Sequence, residues 1–301
     1  MIHLARTGLG TAPLGGLFEP VSDETAAATF ELAWERGIRF FDTAPLYGLG
    51  LSEQRLGGFL ADKPRDEFVL ATKVGRLLRA DAPPDPREAH WAGAAALNPV
   101  FDFSYDGVLR SVDESLARLG LDRIDILHIH DPDDHYEEAL AGAYRALDRL
   151  RGEGTIRAVG AGMNLVEMLI AFAREADFDC FLVAGRWTLL DRSALPELLP
   201  LCEERGIAVI AAGVFNSGIL AGGTTFDYRP AAPELLDRAA ELEAVCARYD
   251  VPLAAAALQF PLRHPAVASV LLGPRSPAQL AQSLDLLDVP VPAGLWAELS
   301  S

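Results

Sequence analysis

The stretch "IRFFDTAPLYGLGLSEQRLGGFL" (38–60) holds one complete strand–loop–helix unit. Residues 38–43 are stiff and mostly apolar, as in a strand buried on both faces of a parallel sheet. Pro45, Gly48 and Gly50 bring turn chemistry. A helical pattern resumes in "SEQRLGGFL" (52–60). Asp42 ends the strand and Tyr47 stands five positions later in the glycine-rich loop. A core strand thus delivers a carboxylate and a phenol to one place.

The unit repeats along the chain. "FVLATK" (68–73), "RIDILHIH" (123–130), "TIRAVGAG" (155–162), "CFLVAG" (180–185), "GIAVIAAG" (206–213) and "VASVLLG" (267–273) read as further strands, with a weaker one in "TGLGTAPLG" (7–15), eight in all. Helical patterns lie between them. In "SDETAAATFELAWERG" (22–37), Ser22 is placed to cap the N-terminus, acids fill the first turn and Gly37 stops the helix. Eight such alternations predict an α/β fold: a closed (β/α)8 TIM barrel over residues 1–301 as one domain, its site at the C-terminal strand ends. An open doubly wound sheet is the second solution, but "GLGTAPLGG" (8–16) lacks its dinucleotide-turn spacing. Two connections, 74–104 and 213–232, are longer than mere links. Long loops after strands usually bind something.

Half of the 301 residues are hydrophobic and 23% are charged, which supports a large core. A net charge of −17 repels nucleic acid and anionic lipid, so neither is an expected partner. Cys180, Cys202 and Cys246 are distant and odd in number, which argues against a disulfide framework or a metal site. They read as reduced packing residues in a cytoplasmic protein. "MIHLARTGLG" (1–10) lacks a signal peptide's apolar core. No apolar run reaches the ~20 residues that cross a membrane. The oligomeric state is left open.

Asp42, Tyr47, Lys73 and His130 all fall at or just after the ends of predicted strands, and barrel closure brings those ends to one face. A buried lysine needs a counter-ion, and Asp42 on the neighbouring strand supplies one. A lysine near a phenol favours the phenolate, so the expected pKa of Tyr47 lies below its free value of ~10. His130 can donate a hydrogen bond to a substrate oxygen. Together the four suit proton transfer at one oxygen, as in carbonyl/alcohol interconversion. Taken singly, each has a plainer reading: a turn aspartate, a packing tyrosine, a solvated lysine, a structural histidine.

"FFDTAPLYGLGLSEQRLGGFL", "ATKVG", "DRIDILHIHDPD", "GTIRAVGAGMN" and "LLGPRSPAQL" resemble, in order, the signatures of the aldo-keto reductase family. The resemblance implies a (β/α)8 barrel that binds an extended NADP, with NAD as the alternative, and a small carbonyl or hemiacetal substrate. It implies Tyr47 as general acid/base, Lys73 as its tuner, Asp42 as the partner of Lys73 and His130 as substrate orienter. It implies cofactor contacts at Thr11, Ala12, Asn164, Gly213, Val214, Phe215, Ser217, Gly218, Leu220, Gly273, Arg275, Ser276 and Gln279. Met163, Ala184 and Gly273 depart from the family's usual serine, glutamine and lysine. Phe215 stands for the usual stacking tyrosine. Within the family, "CFLVAGRWTLLD" and "GVFNSGIL" are most similar to a branch that oxidises cyclic hemiacetals, L-fucose-like aldoses or pyridoxal, to lactones. Trp91, Arg186, Trp187 and Phe215 are then the expected substrate contacts.

Three other functions remain in view. The same residues serve a reductase of small aldehydes. A Schiff-base lyase would use Lys73, but the Asp42 pairing keeps that amine charged. A cofactor-binding sensor would bind without turnover.

Overall fold

The computed structural model describes residues 4–86 and 90–300. Eight parallel strands close into a barrel: β1 (Thr7–Gly10), β2 (Phe40–Asp42), β3 (Val69–Val74), β4 (Ile126–His130), β5 (Ala158–Met163), β6 (Cys180–Ala184), β7 (Ala208–Ala212) and β8 (Val267–Leu272). Each pairs with its chain neighbours, and β8 returns to β1 at Thr7↔Val270. All eight expected strands are present, and all open their C-terminal ends at one face.

Alternation along the strands builds two apolar layers. Phe40, Ile126, Leu182, Ile210 and Leu271 fill the barrel interior with smaller residues. Phe41, Leu70, Leu127, Val159, Phe181 and Val209 face the helices. One row inside the barrel is polar. Lys73 pairs with His128, His128 with Gly160, and Gly160 with Cys180. A Cβ on Gly160 would lie 2.2 Å from His128 Nδ1, so the glycine makes room for the imidazole. All three cysteines are buried and free.

The cap expected at Ser22 forms, and Ser276 provides another. Ser22 accepts from the Thr25 N–H at 3.2 Å and starts the helix Asp23–Glu35. Ser276 accepts from the Gln279 N–H at 3.3 Å and starts Pro277–Leu287. The helix Leu51–Leu60 passes against Tyr105–Leu119 so closely that a Cβ on Gly57 would lie 1.9 Å from the Leu119 carbonyl oxygen. Gly57→Ala is therefore expected to destabilise by ~1–3 kcal/mol through overpacking. Its exposed neighbour Gly58 has nothing within 4 Å of such an atom, so Gly58→Ala should be neutral or stabilising. Denaturant midpoints of the two variants check this, and equal midpoints would show that the helices can separate freely.

The two long connections have structure of their own. After β3, Arg76–Arg79 pairs antiparallel with Asn98–Phe101. After β7, the turn Asn216–Ala221 leads to a small hairpin, Thr225–Phe226 with Arg229–Pro230. Two helices, Leu253–Gln259 and Ala293–Ser300, add to the expected ones. The helical stretch from Tyr136 to Gly152 widens to a π-helix over Ala139–Tyr144. A Cβ on Gly142 there would meet the Phe103 carbonyl oxygen at 2.5 Å. Among the described residues no helix is long and apolar enough to cross a membrane.

Candidate active site

β2, β3 and β4 are neighbours, and they bring Asp42, Lys73 and His130 to one rim. Lys73 Nζ donates to Asp42 Oδ2 at 2.7 Å and to the Thr43 carbonyl at 2.8 Å. The same Nζ lies 4.6 Å from the centre of the Tyr47 ring. The Tyr47 and His130 rings stand 5.8 Å apart at 88°. All four expected residues are thus together. The lysine and aspartate are 1% and 2% exposed, so neither charge has water to fall back on.

A hydroxyl network fixes the loop that carries Tyr47. Thr11 Oγ1 donates to the Asp42 carbonyl at 2.9 Å, and Ser52 Oγ donates to Thr11 Oγ1 at 2.7 Å. Ser52 and Thr43 share a further bond of 3.0 Å. The fully buried Glu53 accepts from Thr72 at 2.7 Å and from Arg118 Nε at 2.6 Å. Thr11 is itself fully buried, and its hydroxyl braces β2.

The electrostatics correct one expectation. Loss of water pushes the Tyr47 phenol up to about 12, and Lys73 pulls it down only in part. Burial works against the charge on Lys73, yet Asp42 and Tyr47 outweigh it and raise the ammonium pKa. His130 is held well below the ordinary imidazole range, first by burial, then by Arg76 and Lys73. Beneath it, burial and Lys73 hold His128 at about 3. Both imidazoles are therefore neutral, and Lys73 is the cation of the cluster.

The opposite half of the rim is a shelf of small residues. Gly10, Gly162, Ala184 and Ala212 lie at or next to the ends of β1, β5, β6 and β7, and Gly273 follows β8. A Cβ on Gly162 would lie 3.6 Å from Lys73 Cε, so anything resting there comes close to the lysine. Such a shelf fits a flat ring. Beyond it Gly213 and Gly218 take φ of 63° and 107°, and Ser217 follows at 61°. Asn216, which sequence reasoning passed over, is buried with its Oδ1 unpartnered among the described residues. Val214 and Leu220 are buried, while Phe215 is partly exposed. Across β8, Arg275 N–H donates to Gln279 Oε1 at 2.8 Å, and its guanidinium pairs with Glu19 at 3.2 Å.

The expected substrate contacts divide. The Trp91 ring lies 5.8 Å from that of Tyr47, packed in a cluster that Ala12 joins. Arg186 instead ties loops together, donating to the Asn164 carbonyl at 3.1 Å and pairing with Asp191 and Asp227. Asn164 itself is exposed. Trp187 is buried, lies tilted against the Phe260 ring, and its indole N–H donates to the Pro261 carbonyl at 3.1 Å. Much of its ring is taken up by this packing.

Known proteins fit this architecture. The chain is 47% identical to a D-threo-aldose 1-dehydrogenase of a Pseudomonas species, over 97% of its own length and 92% of that protein's. It is 46% identical to pyridoxal 4-dehydrogenase of Microbacterium luteolum, over 98% and 92%. The glycerol dehydrogenase structure from Gluconobacter oxydans superposes with a TM-score of 0.78 at 25% identity, covering 99% of this chain and 90% of that one. The holo form of an aldo-keto reductase from Bacillus halodurans gives 0.77 at 25% identity, covering 99% and 92%. The aldo/keto reductase family model matches residues 6–301. The chain belongs to that family and is an NAD(P)-dependent oxidoreductase.

Proposed function

We propose that the whole chain, as one catalytic domain, oxidises a cyclic hemiacetal to its lactone, the substrate being an L-fucose-like aldose or pyridoxal. The supporting observation is the buried Lys73–Asp42 pair beneath Tyr47, in a chain nearly half identical to dehydrogenases of an aldose and of pyridoxal. Both of those substrates close into ring hemiacetals. A nicotinamide cofactor held along residues 213–220 and 275–279 would supply the hydride acceptor for the hemiacetal carbon. Tyr47 takes the hydroxyl proton as the carbon–oxygen double bond forms. Lys73 stabilises the phenolate, Asp42 keeps Lys73 charged and in place, and neutral His130 donates to the same oxygen. Product analysis after incubation with aldoses, pyridoxal and simple aldehydes tests this. Aldehyde reduction as the sole measurable activity would remove the reading.

A phenol pushed up to about 12 is protonated at neutral pH, which favours the reverse reaction, reduction of a small aldehyde, as the second reading. The pH dependence separates the two roles of Tyr47. As a base it must be ionised, so kcat/KM for oxidation should rise ~10-fold per pH unit between about pH 7 and about 10. As an acid it is already protonated there, so reduction should stay level. Lys73→Met removes the group that lowers this pKa and should move the oxidation profile to still higher pH. Oxidation that is flat over this range would remove Tyr47 as its base.

For the cofactor we propose NADP, its adenosine phosphate near Arg275, Ser276 and Gln279. Arg275→Ala should then weaken NADP binding by ~10- to 100-fold, as loss of a charged hydrogen bond does, and leave NAD binding little changed. The Glu19 carboxylate on the Arg275 guanidinium favours NAD instead, by competing with a 2′-phosphate. Glu19→Gln should therefore raise NADP affinity in the same fluorescence titrations. Equal losses for both cofactors in Arg275→Ala would take the 2′-phosphate away from Arg275.

A further inference from the structure

We infer that Asp131 is a substrate-reading residue: it accepts the hydroxyl on the carbon next to the reacting one, and so selects polyhydroxy hemiacetals over simple aldehydes. The inference rests on the aldose branch of the hemiacetal reading above, since pyridoxal has no hydroxyl on the carbon next to the reacting one, and extends it to a residue with no assigned role. Oxidation of pyridoxal but not of L-fucose would overturn this inference alone.

Asp131 follows His130 at the end of β4. Its backbone is left-handed, φ 39°, and is pinned there by its N–H on the Gly162 carbonyl at 3.1 Å. A non-glycine residue holds such a conformation only where its surroundings enforce it. The turn re-aims the side chain toward the tetrad. Asp131 Oδ2 lies 3.4 Å from His130 Nε2, and Arg76 donates to the same oxygen at 3.1 Å. Arg76 is nearly buried and lies over the Phe101 ring, 5.0 Å from its centre, so it is a fixed support. The Asp131 side chain keeps 34% of its surface accessible.

The distances decide what this carboxylate can touch. His130 Nε2 is the atom proposed to meet the reacting oxygen, at ~2.9 Å. A carboxylate oxygen 3.4 Å from that nitrogen stands beside the reacting position, where an oxygen on the adjacent carbon can come within hydrogen-bond reach. It is an acceptor, so the neighbouring group must donate. A sugar's vicinal hydroxyl donates. A simple aldehyde offers nothing there and leaves the carboxylate facing the lone pairs of its carbonyl oxygen. A site built for a hydroxyl discriminates strongly against an analogue that lacks it.

The test is a cycle of protein and substrate changes. L-fucose and its 2-deoxy analogue are each assayed with the parent, Asp131→Gly and Asp131→Asn. Glycine suits the left-handed backbone and deletes the carboxylate, and asparagine keeps the shape without the charge. The parent should lose ~10- to 100-fold in kcat/KM on the deoxy sugar, the range of a charged hydrogen bond. Asp131→Gly should lose a similar factor on L-fucose, with a much smaller further loss on removal of the hydroxyl. Cofactor titration reports whether the top of the barrel is intact in both variants. If a variant loses the same factor on both sugars, Asp131 does not read that hydroxyl and the inference is overturned while hemiacetal oxidation stands. If the parent oxidises no hemiacetal, the functional reading falls, and this inference with it.

Discussion

Tyr47→Phe is expected to slow hydride transfer by ~10²–10⁴-fold, the range for loss of a general acid or base. The change deletes one hydroxyl and keeps the ring that packs against Trp91 and His130. Folding and cofactor affinity should therefore survive, and fluorescence titration establishes this before rates are compared. Lys73→Met acts through the same proton. The double variant should lose far less than the product of the two single effects, because groups that act as a unit are not additive. A Tyr47→Phe protein that binds cofactor normally and turns over within a few fold of the parent would dismantle the proposed tetrad. The four side chains would then be only a well-packed turn.

Asp42→Ala should be the most destabilising substitution at the rim. It strands a lysine that is 1% exposed, with only the neutral Thr43 carbonyl and Tyr47 phenol beside it. Removing one member of a buried ion pair typically costs ~3–5 kcal/mol, most of it from the charge left without a partner. Replacing both members with apolar groups, as in Asp42→Leu/Lys73→Met, should recover most of that loss and still leave the enzyme inactive. Thermal and denaturant unfolding read the first effect, and turnover reads the second. If Asp42→Ala matched the parent in stability, Lys73 could not be the buried cation described above. The sign of the pH dependence follows from the raised lysine pKa. Its contribution is complete below the unfolded value of ~10.4 and fades as pH rises through the folded one.

The barrel was legible because its strands are short, apolar and evenly punctuated. "RIDILHIH" (123–130) needs no tertiary information to be read as a buried strand ending in a histidine. The tetrad was legible for the same reason: three of its members are strand-end residues, and topology alone gathers them. What failed needed knowledge of surroundings. The direction of the Tyr47 shift turns on desolvation against one charge, and a sequence shows the charge but not the dryness. The donor partners of Thr11 and Trp187, the Asp42 and Pro261 carbonyls, were equally out of the sequence's reach. The pairing of Arg76–Arg79 with Asn98–Phe101 was hidden by the Pro- and Ala-rich stretch between them. Asp131 was overlooked because "HDPD" (130–133) reads as ordinary turn chemistry, and only its left-handed backbone reveals where the carboxylate points.

The three thiols offer a clock. Cys180 lies inside the barrel, Cys202 on the buried face of the helix Leu198–Arg205 and Cys246 on that of the helix Pro233–Ala247. Burial pushes each toward the unreactive protonated form, Cys202 up to about 12. Because the thiolate is the nucleophile, an alkylating reagent must wait for each site to open. The two outer cysteines then report the local lifting of single helices, whereas Cys180 is modified only when neighbouring strands part. Its labelling rate, followed by mass spectrometry in native buffer, measures the free energy of opening the barrel itself.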